Sequence, residues 1–254
     1  MALLALNNIS HVYHTVSGET EALKNINLMV NEREFVSIVG PSGCGKSTLL
    51  YILAGLLTPT SGEVLLGNKS LLETKDLIAL MPQRDQLFEW RTILKNVMLA
   101  PEIKKNKSPE IIEYANNLLD KYGLKEFKNK RPSELSGGMR QRAALIRTLV
   151  GAPKLLLLDE PFSALDFQTR LSVCDDVSSI IHSEKKTAIL VTHDISEAIS
   201  MSTKVIVLTK RPATIKTIYD IKLDHSLPPI KRREQEGFNV YFRNIWKDLE
   251  VGDE

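Results

Sequence analysis

Short, nearly apolar runs recur along the chain, each ending at a turn or a polar step. Glu34-Phe35-Val36-Ser37-Ile38-Val39, Leu155-Leu156-Leu157-Leu158 and Ala188-Ile189-Leu190-Val191-Thr192-His193 are such runs, and residues 204–209 form another. Runs of this length and composition predict strands buried on both faces. Between them lie stretches with few helix breakers, over residues 47–54, 165–183 and 196–201. Strands alternating with helices imply right-handed crossovers and a mostly parallel sheet. Two earlier stretches, 3–13 and 22–30, read as strands joined by a turn at Ser17-Gly18-Glu19. In the second, Leu23, Asn25, Asn27 and Met29 alternate with Ala22, Lys24, Ile26, Leu28 and Val30. Together they predict an antiparallel layer beside the main sheet, and residues 63–66 and 78–81 read as further strands.

From residue 84 the period changes. Residues 92–100 and 109–122 read as helices, the second burying Ile111, Ile112, Ala115, Leu118, Leu119 and Tyr122 at helical spacing. Ser108-Pro109 is a start signal and Gly123 a stop. The basic stretch 125–131 reads as a solvated loop. The division expected is a core of residues 1–83 and 151–209, a helical insertion over 84–150, and a C-terminal extension over 210–254. In that extension, 227–233 reads as extended and basic. Phe238, Tyr241, Phe242, Ile245, Trp246 and Leu249 then mark one face of a helix. That face either packs on its own domain or meets a partner.

Composition narrows the class. Hydrophobic residues make up 43% and charged residues 25%, as in ordinary globular proteins. The net charge of +2 is too small to argue for a nucleic-acid partner. No apolar run approaches the roughly 18 residues that a membrane span needs. The N-terminal residues show neither a basic region nor a cleavage site, so no signal peptide is expected. Two cysteines, Cys44 and Cys174, give no disulfide framework and point to a reducing cytosol.

The chemistry centres on Gly40-Pro41-Ser42-Gly43-Cys44-Gly45-Lys46-Ser47, a G-x-x-x-x-G-K-S loop between an expected strand and an expected helix. A strand that turns sharply into a helix aims backbone N–H groups and the helix dipole at one spot, a site for a polyphosphate. Lys46 suits the β- and γ-phosphates, and Ser47 offers a hydroxyl to Mg²⁺. A reagent reaching the Cys44 thiol should inhibit, with nucleotide protecting. Open parallel sheets bind ligands beyond the carboxyl ends of their strands, where Val39, Asp159 and His193 all fall. Asp159 suits a Mg²⁺ ligand; Glu160 suits a base that polarises water. His193 is a candidate γ-phosphate sensor, its plainer reading being a structural strand-end histidine. Tyr13 can stack on an adenine ring or simply pack at its strand end. In Leu135-Ser136-Gly137-Gly138-Met139, a serine cap precedes two glycines that cost helix stability. Close approach of an anion would account for them, and their place in the insertion points to a neighbouring subunit's site.

Taken together these motifs resemble, over residues 4–209, the nucleotide-binding subunit of an ATP-binding cassette (ABC) transporter. The resemblance implies an α/β P-loop NTPase fold, RecA-like, with an antiparallel β subdomain and an inserted α-helical subdomain. It implies ATP and Mg²⁺ as cofactors, with Tyr13 as the adenine-stacking aromatic. Residues Gly40, Pro41, Ser42, Gly43, Cys44, Gly45, Lys46, Ser47 and Thr48 hold the phosphates. Ser47, Gln83 and Asp159 hold the metal. Lys46, Gln83, Glu160 and His193 serve catalysis. Ser136, Gly137 and Gly138 match the signature sequence, which closes on ATP held by the other subunit of a head-to-tail homodimer. Ser163-Ala164-Leu165-Asp166 matches the loop that crosses the dimer interface. A membrane permease, and through it a substrate-binding protein, are the implied partners, at the cytoplasmic face of the membrane. Phe88 and Trp90 suit docking of the permease, or ordinary core packing. Asp166-Phe167-Gln168-Thr169-Arg170 and the aromatic tail resemble importers of the nitrate, sulfonate and taurine group, which includes carriers of vitamin precursors. Glu89, where that group often has Pro, and the basic tail depart from it. Relatives acting on DNA or ribosomes usually carry a long coiled coil, zinc cysteines or two cassettes, and none of these features is present here.

Overall fold

The computed structural model describes residues 2–16 and 18–250. The chain opens with β1 (Ala2–Thr15), β2 (Gly18–Asn31), β3 (Phe35–Val39), α1 (Lys46–Leu53), β4 (Ser61–Leu66), β5 (Lys69–Ser70), α2 (Leu71–Thr74) and β6 (Ile78–Met81). Four helices follow: α3 (Ile93–Val97), α4 (Leu99–Ile103), α5 (Pro109–Lys121) and α6 (Gly137–Val150). The last part holds β7 (Leu155–Asp159), α7 (Phe167–Ser183), β8 (Thr187–Val191), α8 (Ile195–Met201), β9 (Lys204–Leu208), β10 (Ile215–Asp220), α9 (Pro229–Arg232) and α10 (Phe238–Glu250).

Six strands form the main sheet in the order β10-β9-β3-β8-β7-β6, parallel except for β10, which runs antiparallel to β9. Side chains alternate across it. Leu156, Leu158, Ala188 and Leu190 join the core under α6 and α7. Leu155, Leu157, Ile189 and Val191 join a second core with α1 and the first sheet. Both faces are covered, which is why these strands read as unbroken apolar runs. The smaller sheet is antiparallel, in the order β2-β1-β4-β5.

Several expectations change. The alternation expected in β2 holds only from Ile26 onward: Leu23 is buried and Lys24 exposed, the reverse of their assigned faces. The face switches at Asn25, φ 49°, beside a register shift against β1. Asn tolerates the left-handed conformation, and a bulge there turns the strand over. Ser17, in the expected turn, lies outside the described residues. The helix expected over 92–100 is two short ones, broken at Met98. Pro101 has no N–H to donate to the carbonyl four residues back, so the first helix cannot run on. The basic stretch 125–131 is more than a loop: Ile93 N–H donates to Lys130 O at 2.8 Å and Leu94 N–H to Lys128 O at 2.9 Å, capping α3.

The sheet also runs past residue 209. β10 pairs with β9 inside the segment set aside as an extension. The stretch 227–233 contains α9, and buried Arg232 donates to the carbonyls of Leu227, Ser200 and His225. Phe238 and Ile245 of α10 are buried with Ile199, Val205 and Val207, so the tail helix packs on its own domain. Among the described residues no helix is long and apolar enough to cross a membrane.

Candidate functional site

Strands β3, β8 and β7 are neighbours, and their register sets Ile38, Val191 and Asp159 in one row. Everything immediately beyond that row converges on one place. The loop after β3, Glu160 after β7 and His193 after β8 line a cleft of about 550 Å³ with Ser42, Gly43, Gly45, Lys46, Ser47, Thr48 and Arg211. The convergence expected at the carboxyl ends of the strands is therefore present.

The loop is shaped by contacts from both sheets. Gly45 caps α1 at φ 125°, and a Cβ there would lie 3.0 Å from Ala22 O and from Leu23 Cδ2. Only glycine fits that conformation against β2. No side chain caps α1, leaving its first amides without an internal acceptor. Lys46 is buried, and its Nζ donates to Gly40 O at 2.7 Å and Pro41 O at 2.9 Å. Cys44 is buried, and burial pushes its thiol above the usual range. Ready attack by a thiol reagent is thus not expected: the side chain fills space under the loop, its Sγ 2.9 Å from where a Gly40 Cβ would stand.

Asp159 ends β7 buried. Burial raises its carboxyl above the ordinary value, neighbouring Glu160 adds to this, and Lys46 only partly offsets it. A buried carboxylate short of positive charge is a fit for a cation. Of the three residues expected to hold Mg²⁺, all of a type that supplies oxygen donors, Ser47 lines the cleft and Asp159 and Gln83 are not among its lining residues. Among the described residues there is no cluster of three or more His, Cys, Asp or Glu that would form an all-protein cage.

Glu160 takes the left-handed conformation, φ 43°, with its N–H donating to Val191 O at 2.9 Å. A non-glycine residue held there marks a position that its surroundings over-determine. Its Oε2 lies 3.0 Å from His193 Nδ1, so the carboxylate and the imidazole are held as a pair. Gln83 is one step removed: Nε2 donates to Ser163 Oγ at 3.2 Å, and Ser163 Oγ to Glu160 O at 3.0 Å. Tyr13 is 38% exposed and meets Thr48, its hydroxyl 3.1 Å from Oγ1. Its ring stands edge-on to His11, centroids 4.6 Å apart. The ring is thus partly exposed beside the loop and partly packed on His11.

Ser136, Gly137 and Gly138 are not among the residues lining this cleft. Ser136 caps α6, accepting from Met139 N–H at 3.4 Å. The glycines have a reason that the sequence did not show. A Cβ on Gly138 would lie 2.9 Å from Val173 Cγ2, and one on Gly137 3.1 Å from Leu165 Cδ2. Packing of α6 against α7 selects glycine at 138 without any anion.

Three arginines to which the sequence assigned no role tie neighbouring segments together. Arg170 donates to Leu165 O at 3.0 Å and lies 3.7 Å from Asp194 and 3.9 Å from Glu197. Arg140 forms a two-point pair with Asp85, at 2.8 and 3.1 Å, and meets Glu89 at 2.8 Å. Arg211, from the turn between β9 and β10, donates to Gly43 O at 2.6 Å. An arginine in an Asp166-to-Arg170 segment was visible; nothing local marks Arg211.

This constellation defines a P-loop nucleotide-hydrolysing site. The ABC transporter family model matches residues 23–163. The uncharacterized ABC transporter ATP-binding protein YtlC of Bacillus subtilis (strain 168) is 43% identical over 250 residues, 98% of this chain and 96% of the relative. The taurine import ATP-binding protein TauB of Roseobacter denitrificans is 37% identical over 243 residues, 93% of this chain and 91% of that one. The dimeric ATP-binding cassette MJ0796, solved in a post-hydrolysis state bound to ADP and Pi, is 34% identical with a TM-score of 0.73, covering 86% of this chain and 99% of that one. The chain belongs to the ABC transporter family, as an ATP-binding subunit whose ATPase activity is coupled to transport.

Proposed function

We propose that the protein is the ATPase of an importer, moving a small anionic or zwitterionic solute of the taurine or sulfonate kind. The taurine-import relative supports the solute class. The observation that carries the mechanism is the single cleft holding Lys46, Ser47, Glu160 and His193. ATP binds there with Tyr13 on the adenine and Gly40 to Thr48 around the phosphates. Ser47, Gln83 and Asp159 would hold Mg²⁺, which would neutralise phosphate charge when bound. Glu160 takes a proton from the water that attacks the γ-phosphate, and the bond to the β-phosphate oxygen breaks. His193, paired with Glu160, orients it and contacts the γ-phosphate. Lys46 stabilises charge on the transferring group.

Ser136, Gly137 and Gly138 complete the site of a second copy, giving a homodimer with two shared ATP sites; the dimeric cassette relative supports this. Residues 84–150 act as a helical subdomain between the core halves 1–83 and 151–209. Trp90, 72% exposed and stacked on Phe88 at 4.8 Å, offers an aromatic anchor to a membrane permease at the cytoplasmic face. A substrate-binding protein acts indirectly, through the permease. Light scattering coupled to size exclusion on Glu160→Gln, with and without Mg-ATP, tests the reading: a monomer that dimerises only with ATP is expected. A monomer in both conditions, also with the permease added, would overturn the shared site.

A further inference from the structure

Resting on the reading that the loop binds nucleotide, we propose that Arg211 is a positioning residue of the phosphate loop, clamping it from outside the chain segment that forms it. Its guanidinium lines the cleft and donates to Gly43 O at 2.6 Å. Gly43 is itself in the left-handed region, φ 68°. Across a planar trans peptide, the carbonyl of one residue and the N–H of the next point in opposite directions. Holding Gly43 O on the Arg211 side therefore turns the Cys44 N–H to the other side. There it meets Pro41 O at 3.3 Å, the carbonyl that also accepts from Lys46 Nζ. The clamp thus sets the orientation of an amide in the part of the loop that must present N–H groups to phosphate.

Arg211 can act as a clamp because the turn that carries it is braced. Ala213 N–H donates to Ala22 O at 3.0 Å, and Lys24 N–H to Ala213 O at 2.9 Å. Thr209 N–H donates to Thr214 O at 3.0 Å, and Thr214 N–H to Thr209 Oγ1 at 2.9 Å. The same end of β2 meets Gly45 from its other flank. The loop is therefore gripped at Gly43 by the turn and at Gly45 by the strand to which that turn is pinned. A planar guanidinium holds a carbonyl in a fixed direction better than an ammonium on a flexible stem.

The test uses the full chain with Arg211→Met and Arg211→Lys. Deuterium exchange of residues 40–47 is measured without nucleotide, and ADP affinity by calorimetry. In the Met variant, exchange at 43–45 should rise about tenfold and ADP binding should weaken about tenfold, the size of one charge-assisted hydrogen bond. Lys should recover part of both, and the melting temperature should stay near that of the wild type because Arg211 is exposed. Weaker ADP binding with unchanged exchange would overturn the clamp in favour of direct contact with phosphate. Faster exchange with unchanged ADP affinity would overturn its service to the nucleotide. Wild-type protein that takes up no ADP would fail the nucleotide reading instead, and the exchange measurement would still judge the clamp.

Discussion

The starts of α1 and α6 look alike on paper, each with a small polar residue and glycines at or just before the first turn. At α1 the glycine is a matter of backbone conformation: Gly45 sits at φ 125° against Ala22 and Leu23. At α6 it is a matter of side-chain space: Gly138 faces Val173 of α7. The first start has no side-chain cap, so its amides look outward to a ligand; the second has Ser136 already bonded to the N–H of Met139. The same residue type thus answers to backbone conformation in one place and to helix packing in the other. A glycine pair in a sequence does not by itself announce an anion.

Mutations at the two starts should separate binding from hydrolysis. The largest effect falls at neither start but at the carboxylate after β7 that faces the α1 start across the cleft. Glu160→Gln should keep ATP binding and cut turnover by roughly 10² or more, as for loss of a general base; steady-state hydrolysis with a nucleotide-binding assay checks both. Ser136→Arg should come next, suppressing hydrolysis while each subunit still binds nucleotide. Normal turnover in that variant would remove the role given to the α6 start. Gly138→Ala should lower stability by about 1–3 kcal/mol through overpacking against α7. Combining it with Val173→Ala should return most of that loss in urea melts, and a failure to do so would return the glycine to a ligand-driven explanation.

The smallest effect concerns pH. Asp159 is raised above its ordinary 3.8 in the folded protein. The folded state therefore holds that proton more tightly than the unfolded one. The stability it contributes is full below pH about 4 and is lost as pH rises through the raised value. Asp159→Asn should flatten that part of the melting-temperature profile while removing the Mg²⁺-dependent gain. A profile parallel to wild type from pH 4 to 7 would count against this.

Much of the site was legible because its parts sit at the ends of strands whose apolar runs are unmistakable. Val39, Asp159 and His193 could be aligned from pattern alone, since parallel strands bring their carboxyl ends to one side. What escaped was whatever depends on partners distant in sequence. Arg211 reaches the loop only because Ala213 pairs with β2, 191 residues earlier at Ala22. The switch of face at Asn25 needed a bulge that no period reveals. The glycine at 138 needed Val173, on a helix whose approach the sequence does not state. The split at Met98 was, by contrast, readable: Pro101 stood in plain view directly after the expected helix.

Two of the three arginines of α6, Arg140 and Arg147, have a mechanical consequence. Arg140 grips the Asp85 carboxylate, and Arg147 donates to the backbone carbonyls of Asp85 and Gln86, both at 2.7 Å. Seven residues separate them, two turns on one face and roughly 10 Å along the axis. A single attachment is a pivot, whereas two spaced attachments resist rotation and make a mount. The segment so mounted is tied to the helix that Ser136 caps.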